Sequence, residues 1–197
     1  MSSFPLYTQL DAMDCGPTCL RMIAKYYGKN YSLDRLRGSS HISREGVSLL
    51  GISDAAESIG FKSMGVRISF GQLCEAPLPC IVHWNQRHFV VVYKIKKKKN
   101  TTYVYVADPA GERIKFSKEE FLSCWLSAKK EGEEKGIALL LEPTPDFYAG
   151  DDDKPDKARF SFILQYLRPY KKLIAQLFLG MLLGSMLQLI FPFLTQS

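Results

Sequence analysis

A cysteine stands directly before Gly-Pro in "LDAMDCGPTCLRMIAKYYG", residues 10–28. Pro17 suits a first helical turn, where its missing N–H leaves nothing unsatisfied. That puts Cys15 at a helix N-terminus, where unpaired backbone N–H groups and the helix dipole favour the thiolate over the thiol. The thiolate is the nucleophilic form, and it needs a base that activates it and later protonates a leaving amine. Buried filler, metal ligand, disulfide half and nucleophile are the four uses open to such a thiol.

The histidines are 41, 83 and 88. If 88–95 and 101–108 pair as a hairpin around a loop at 96–100, opposed residues sum to 196. His88 then faces Asp108, with cross-strand Cβ atoms ~5 Å apart. A carboxylate beside an imidazole fixes its tautomer and stabilises the imidazolium. Asp108 precedes Pro109, so the strand ends there and the carboxylate falls at the rim of the sheet. His83 and His41 lack such a partner in sequence and read as structural or surface residues. Gln9 stands six residues before Cys15. Its side-chain amide and the backbone N–H of Cys15 are two donors that could converge on a developing oxyanion.

The elements that must carry these groups are legible from periodicity. Leu20, Ile23, Ala24 and Tyr27 make one apolar helical face, with Gly28 as its stop. A second helix is expected after Ser32, and a third over about 47–59, with Ile52, Ala55, Ala56 and Ile59 on one face and Gly60 as the stop. Strands are expected at 61–68, 79–84, 88–95, 101–107 and 112–116, where β-branched and aromatic residues concentrate. Ser117 and Glu120 form a capping box ahead of a helix bearing Phe121, Leu122 and Trp125. A last strand covers 137–142. Helices first and antiparallel strands after them give an α+β domain.

The 197 residues, 46% hydrophobic and 23% charged, fit one domain of ~150 residues plus an additional segment. The five cysteines (15, 19, 74, 80 and 124) show no repeating framework, and the N-terminus has no basic region leading into an apolar one. Both point to a reducing, cytosolic setting with free thiols. The formal charge is +6. Five lysines of "KIKKKK" (94–99) read as a solvated turn. No basic stripe interleaved with aromatics is legible, so no nucleic-acid partner is expected.

A Pro-rich, acidic stretch, "PTPDFYAGDDDKPDK" (143–157), reads as a linker. From Leu173 to Leu194 no charge occurs over 22 residues, long enough to cross a bilayer. "RPYKK" before it places the positive side, and hence the first domain, in the cytoplasm. Gly180 and Gly184 form a GxxxG that favours helix packing. The expected organisation is a catalytic domain at 1–145, a linker at 146–159, and a juxtamembrane elbow with a first transmembrane helix at 160–197.

"QLDAMDCGPTCLRMIAKYYG", "RHFVVVY" and "VADPAG" together resemble the bacteriocin-processing cysteine peptidases, papain-like domains at the N-terminus of peptidase-containing ABC transporters. The resemblance covers roughly residues 6–142. It implies a papain-like fold with Cys15 as nucleophile, His88 as base, Asp108 as its orienting partner and Gln9 as oxyanion donor. It also implies a precursor peptide with a double-glycine leader as substrate, cut after Gly-Gly or Gly-Ala/Ser. Further implications are a bacterial inner-membrane setting through the C-terminal helix, a homodimeric full transporter, no cofactor for the peptidase step, and ATP only outside this chain. Met13, Asp14, Trp84 and Asn85 neighbour the catalytic set and are expected at the substrate rim.

Other readings stay open. The chain lacks a G-x-x-x-x-G-K-[ST] phosphate loop. Cys15 and Cys19 could pair as metal ligands, but no second Cys/His pair has metal-ligand spacing; Cys19 reads as core filler, as do Cys74, Cys80 and Cys124. A domain that only binds cargo, or an amidase or acyltransferase using the same Cys–His–Asp set, would share these residues.

Overall fold

The computed structural model describes residues 4–41, 46–98, 101–128, 134–151, 153 and 171–195. These form two compact units, Met1–Pro155 and Asp156–Ser197.

In the first unit, a 3-10 turn at Ala12–Asp14 leads into helix α1 (Cys15–Tyr26). Helices α2 (Leu33–Ser39) and α3 (Leu49–Ser58) follow, with Ser32 and Ser48 as their N-caps. Each serine accepts a backbone N–H that the first turn leaves unpaired. Then come β1 (Phe61–Ser69), α4 (Phe70–Glu75), β2 (Cys80–Trp84), β3 (His88–Lys98), β4 (Thr101–Asp108) and β5 (Glu112–Ser117). The unit closes with α5 (Lys118–Trp125), β6 (Leu126–Ala128), β7 (Lys135–Pro143) and α6 (Pro145–Ala149).

The strands make one antiparallel sheet in the order β1-β7-β2-β3-β4-β5, with β6 also paired to β7. Alternation along each strand splits its side chains between two cores. Ile81, Phe89, Val91, Ala107, Leu139 and Leu141 join Leu20 and Ile23 of α1, Leu36 of α2 and Ile52 of α3. Their neighbours Val82, Val90, Val92, Val104, Val106 and Ala138 join Leu73 of α4 and Phe121 and Trp125 of α5. The sheet is thus a middle layer: α1 to α3 share one core with it, and α4 and α5 the other. The α+β expectation agrees with this arrangement.

Three details differ from the sequence reading. The lysine run is strand: Lys94, Lys96, Lys97 and Lys98 extend β3, opposite Tyr105, Tyr103, Thr102 and Thr101. Valine, tyrosine and threonine on β4 supply the pairing that lysine propensity alone does not. The register also differs, as Val91 pairs with Ala107, Val92 with Val106 and, after a bulge, Lys94 with Tyr105. Opposed residues therefore sum to 198 and 199, and His88 does not sit directly across from Asp108.

The third difference lies in the presumed linker. Pro145–Ala149 is helical with Pro in its first turn, and Phe147 is fully buried among Tyr27, Tyr31 and Phe61. Its backbone lies so close to Gly60 that any Cβ there would collide with it. Just beyond, Asp153 accepts the N–H and hydroxyl of Ser32, both at 2.8 Å, and pairs with Arg35 at 2.9 Å. The first unit therefore holds its chain beyond residue 145 by an aromatic plug and a carboxylate clasp.

In the second unit, helix α7 covers Lys171–Thr195. Among the described residues no helix is long and apolar enough to cross a membrane. The expected transmembrane helix is therefore not shown by the structure. The expected elbow at 160–170 lies outside the described residues.

Phe147→Ala should lower unfolding stability by about 3–5 kcal/mol, the usual loss for a buried phenylalanine. Urea titration of the variant measures this; a loss below about 1 kcal/mol would restore the linker reading.

Candidate active site

Cys15 is the first residue of α1 and only 5% exposed. The turn before it is built by two aspartates. The Asp11 side chain accepts the N–H of Met13 at 3.2 Å, and the Asp11 N–H donates to Asp14 Oδ2 at 3.0 Å. Asp14 is buried, and Arg37 of α2 reaches both of its oxygens, Nε to Oδ1 at 2.6 Å and the second nitrogen to Oδ2. Burial would raise the Asp14 carboxyl, but the Arg37 hydrogen bond and charge outweigh it and hold the group below its ordinary value. Asp14 is thus part of the brace that orients the start of α1.

Asp108 begins a tight turn with Pro109 at the second position and Gly111 at the fourth. The Gly111 N–H donates to the Asp108 carbonyl at 2.9 Å, and Gly111 takes φ +112°. Asp108 Oδ1 accepts the Ala110 N–H at 2.8 Å, which locks the carboxylate to its own turn. The same oxygen accepts His88 Nε2 at 2.8 Å. The two side chains meet across an offset register, because the turn holds the carboxylate at the sheet's rim.

With Nε2 bound to Asp108, Nδ1 is the ring nitrogen left for Cys15, the second group that raises the imidazole. The Asp108 bond first, then the Cys15 bond, raise the imidazole against its burial, to a pKa of about 9. Burial raises Asp108 in turn, but the His88 bond and the Ala110 amide outweigh it and keep it ionised below the usual range. A pKa of about 9 makes the imidazolium the favoured form of the ring at neutral pH. A thiolate beside an imidazolium that a carboxylate orients is a nucleophile with a proton to return to a leaving group.

The remaining expected residues are placed as follows. The Gln9 N–H donates to the Pro109 carbonyl at 2.8 Å, so the Asp108 turn also fixes Gln9. Gln9 Oε1 is buried without a hydrogen-bond partner. His83 rings against Phe89 at 5.1 Å, and burial lowers its pKa. Met13, 37% exposed, lines an open pocket of about 540 Å³ with Asp11, Asp14, Arg37, Gly38 and His41. Trp84 is buried in the second core against Phe116 and Phe121. That burial removes it from the rim where it was expected. Asn85 is exposed in the β2–β3 turn at φ +48°, a left-handed conformation that asparagine tolerates. Its N–H donates to the Cys124 carbonyl at 2.8 Å.

All five cysteines are free thiols. Among the described residues no group of three or more His, Cys, Asp or Glu could hold a metal ion.

Residues 3–132 match the peptidase C39 family. The chain belongs to that family, a family of cysteine peptidases. The C39 chain is 32% identical to the lactococcin transport/processing ATP-binding protein LcnC-like of Lactococcus lactis, over 96% of its own length and 26% of that protein. It is 26% identical to the colicin V secretion/processing ATP-binding protein CvaB of Escherichia coli, over 98% of its length and 25% of that protein. It therefore spans about a quarter of the curated relatives it matches. Among solved structures, a double glycine motif protease of an AMS/PCAT transporter, in complex with a leader peptide, superposes with TM-score 0.61 at 34% identity. That match covers 71% of this chain and 91% of the other. The peptidase domain of Streptococcus ComA, a bi-functional ABC transporter, gives 0.60 at 31% identity, over 72% of this chain and all of the other.

Sequence reasoning missed the Arg37 brace, the Pro109–Gln9 bond and a bond from Cys19 Sγ to the Phe89 carbonyl at 3.3 Å. "DPAG" signals the turn, but nothing local signals partners 23 or 70 residues away.

The folded C39 domain binds the His88 proton more tightly than the unfolded chain does. That stabilisation is complete below about pH 6.5, the ordinary histidine value, and is lost as pH rises through about 9. Denaturant midpoints should fall across this window in the native chain, and the fall should be smaller in His88→Ala. Equal slopes in the two proteins would contradict the raised pKa.

Proposed function

We propose that this C39 domain cuts the leader from precursor peptides after a Gly-Gly or Gly-Ala/Ser pair, with Cys15 as nucleophile, His88 as general acid and base, Asp108 as the group that orients it and Gln9 as oxyanion donor. The observation that carries the reading is the 2.8 Å bond between His88 Nε2 and Asp108 Oδ1, which leaves the other ring nitrogen for Cys15.

The Cys15 thiolate attacks the scissile carbonyl carbon, and the new oxyanion takes hydrogen bonds from the Cys15 N–H and the Gln9 amide. The C–N bond breaks as the His88 Nδ1–H passes its proton to the leaving amine. Water then attacks the thioester, His88 accepts the water proton, and the C–S bond breaks to release the leader acid. A neutral Asp108 variant would lose the charge that holds the imidazolium. No cofactor takes part in these steps. Double-glycine processing is supported by the solved relative that holds a leader peptide and by the processing and secretion roles in the names of the curated relatives.

The same reading extends to the membrane. The support is in the sequence: Leu173–Leu194 carries no charge. At ~1.5 Å per residue, 22 residues reach ~33 Å, the thickness of a bilayer core. Arg168, Lys171 and Lys172 precede it, which favours a cytoplasmic peptidase at the bacterial inner membrane. In this reading the chain is the N-terminal quarter of a homodimeric exporter, whose ATP-binding part lies elsewhere in the longer protein.

The test is incubation with a Gly-Gly precursor peptide and sequencing of the products. Cys15→Ala and His88→Ala should abolish cleavage while leader binding persists, and His83→Ala should leave cleavage intact. Cleavage that survives Cys15→Ala would end the proposal; binding without cleavage by the native chain would make this a cargo-binding domain. Gln9→Ala should lower kcat by about 10²–10³, the usual loss for one oxyanion donor, with little change in KM.

A further inference from the structure

Cys19 follows Cys15 by one helical turn, and its side chain is fully buried. Small hydrophobic filler is the usual use of such a thiol. Its bonding goes further. Cys19 Sγ donates to the main-chain oxygen of Phe89 at 3.3 Å. Phe89 is the residue after His88, and β4 pairs with β3 only from Val91 onward. At the stretch of β3 that bears the imidazole, the helix that bears the nucleophilic thiol is therefore tied to the strand by a side-chain bond. Only one turn of helix separates that bond from Cys15, and only one peptide unit separates it from His88. A helical turn rises ~5.4 Å and is stiff, so a shift at Cys19 is carried to Cys15 nearly undiminished.

The bond also requires a proton on sulfur. Burial holds the Cys19 thiol well above its ordinary value, and the charges of Cys15 and Asp108, which face it, push the same way. Cys19 thus stays a neutral donor. Two thiols on one helix face are given different work by their surroundings.

We propose that Cys19 is a positioning residue, whose S–H bond to the Phe89 carbonyl sets the spacing of Cys15 from His88. This rests on the reading of Cys15 as nucleophile.

The test uses the full 197-residue chain and its Cys19→Ala and Cys19→Ser variants. Iodoacetamide alkylation of Cys15 is followed across pH by peptide mass, kcat and KM are measured on a Gly-Gly precursor peptide, and thermal melts confirm that each variant is folded at the assay temperature. Cys19→Ala should slow neutral-pH alkylation of Cys15 about tenfold, since sub-ångström misplacement of reacting groups is felt at this scale. Its kcat should fall by a similar factor, with KM within about twofold of the native value. Cys19→Ser keeps a donor and should recover both readouts to within about threefold. A native alkylation profile and kcat in Cys19→Ala would overturn the proposal, and so would a Ser variant as impaired as the Ala variant. If Cys15 of the unsubstituted chain reacts no faster at neutral pH than half-buried Cys74, the nucleophile reading itself fails, and the Cys19 proposal with it. A fast Cys15 that ignores Cys19→Ala removes the Cys19 proposal alone.

Discussion

The hydrogen bond from His88 Nε2 to Asp108 Oδ1, 2.8 Å long, decides which nitrogen of the ring is left for Cys15. It also decides the charge of the ring. A carboxylate on one side and a thiol on the other bring the imidazole to a pKa of about 9. The carboxylate can do this only because its own turn holds it: the Ala110 N–H fixes Oδ1, and Pro109 and Gly111 shape the backbone around it. The Pro109 carbonyl binds the Gln9 N–H, so one four-residue turn places two of the four proposed functional side chains. Arg37 on Asp14 does the same for the start of α1, from another helix.

These local devices need a rigid frame, and the sheet supplies it. Strict alternation sends Phe89 and Val91 to the core shared with α1, and Val90 and Val92 to the core shared with α5. A strand buried on both faces cannot slip by one residue without exchanging its two cores. That fixes where β3 begins, and so where His88 stands. The fold builds the site from ends: the first residue of a helix, the first of one strand, the last of another.

The fold was legible where hydrophobic period and capping agreed. Ser32 and Ser117 announced two helices, the apolar faces of α1 and α3 with their glycine stops announced two more, and strand-like runs announced β1 to β5 and β7. Three short elements escaped. α4 has a capping box of its own, Ser69 with Gln72, but lies in a run of mixed character. β6 is three residues long and exists through its pairing with β7. α6 hides in an acidic, Pro-rich composition, and only Phe147 betrays it. The contact of His88 with Asp108 was anticipated from a register that proved two to three residues off. A bulge after Val92 and a longer β3 changed the pairing, while the Asp-Pro-Ala-Gly turn still brought the carboxylate to the ring. Trp84 turns into the second core; proximity in sequence to functional residues says nothing about which way a side chain faces. The Cys19 bond to Phe89 spans 70 residues and is invisible to any local pattern.

The central claim is that the His88 ring carries both protons at neutral pH because it is held between Asp108 and Cys15. Nitrogen-15 NMR of labelled histidine, followed from pH 5 to pH 10, reports this directly. The account predicts that His88 keeps both ring protons through neutral pH and loses one only near pH 9. An imidazole at position 88 that titrates at or below about pH 6.5, the ordinary value, would contradict it.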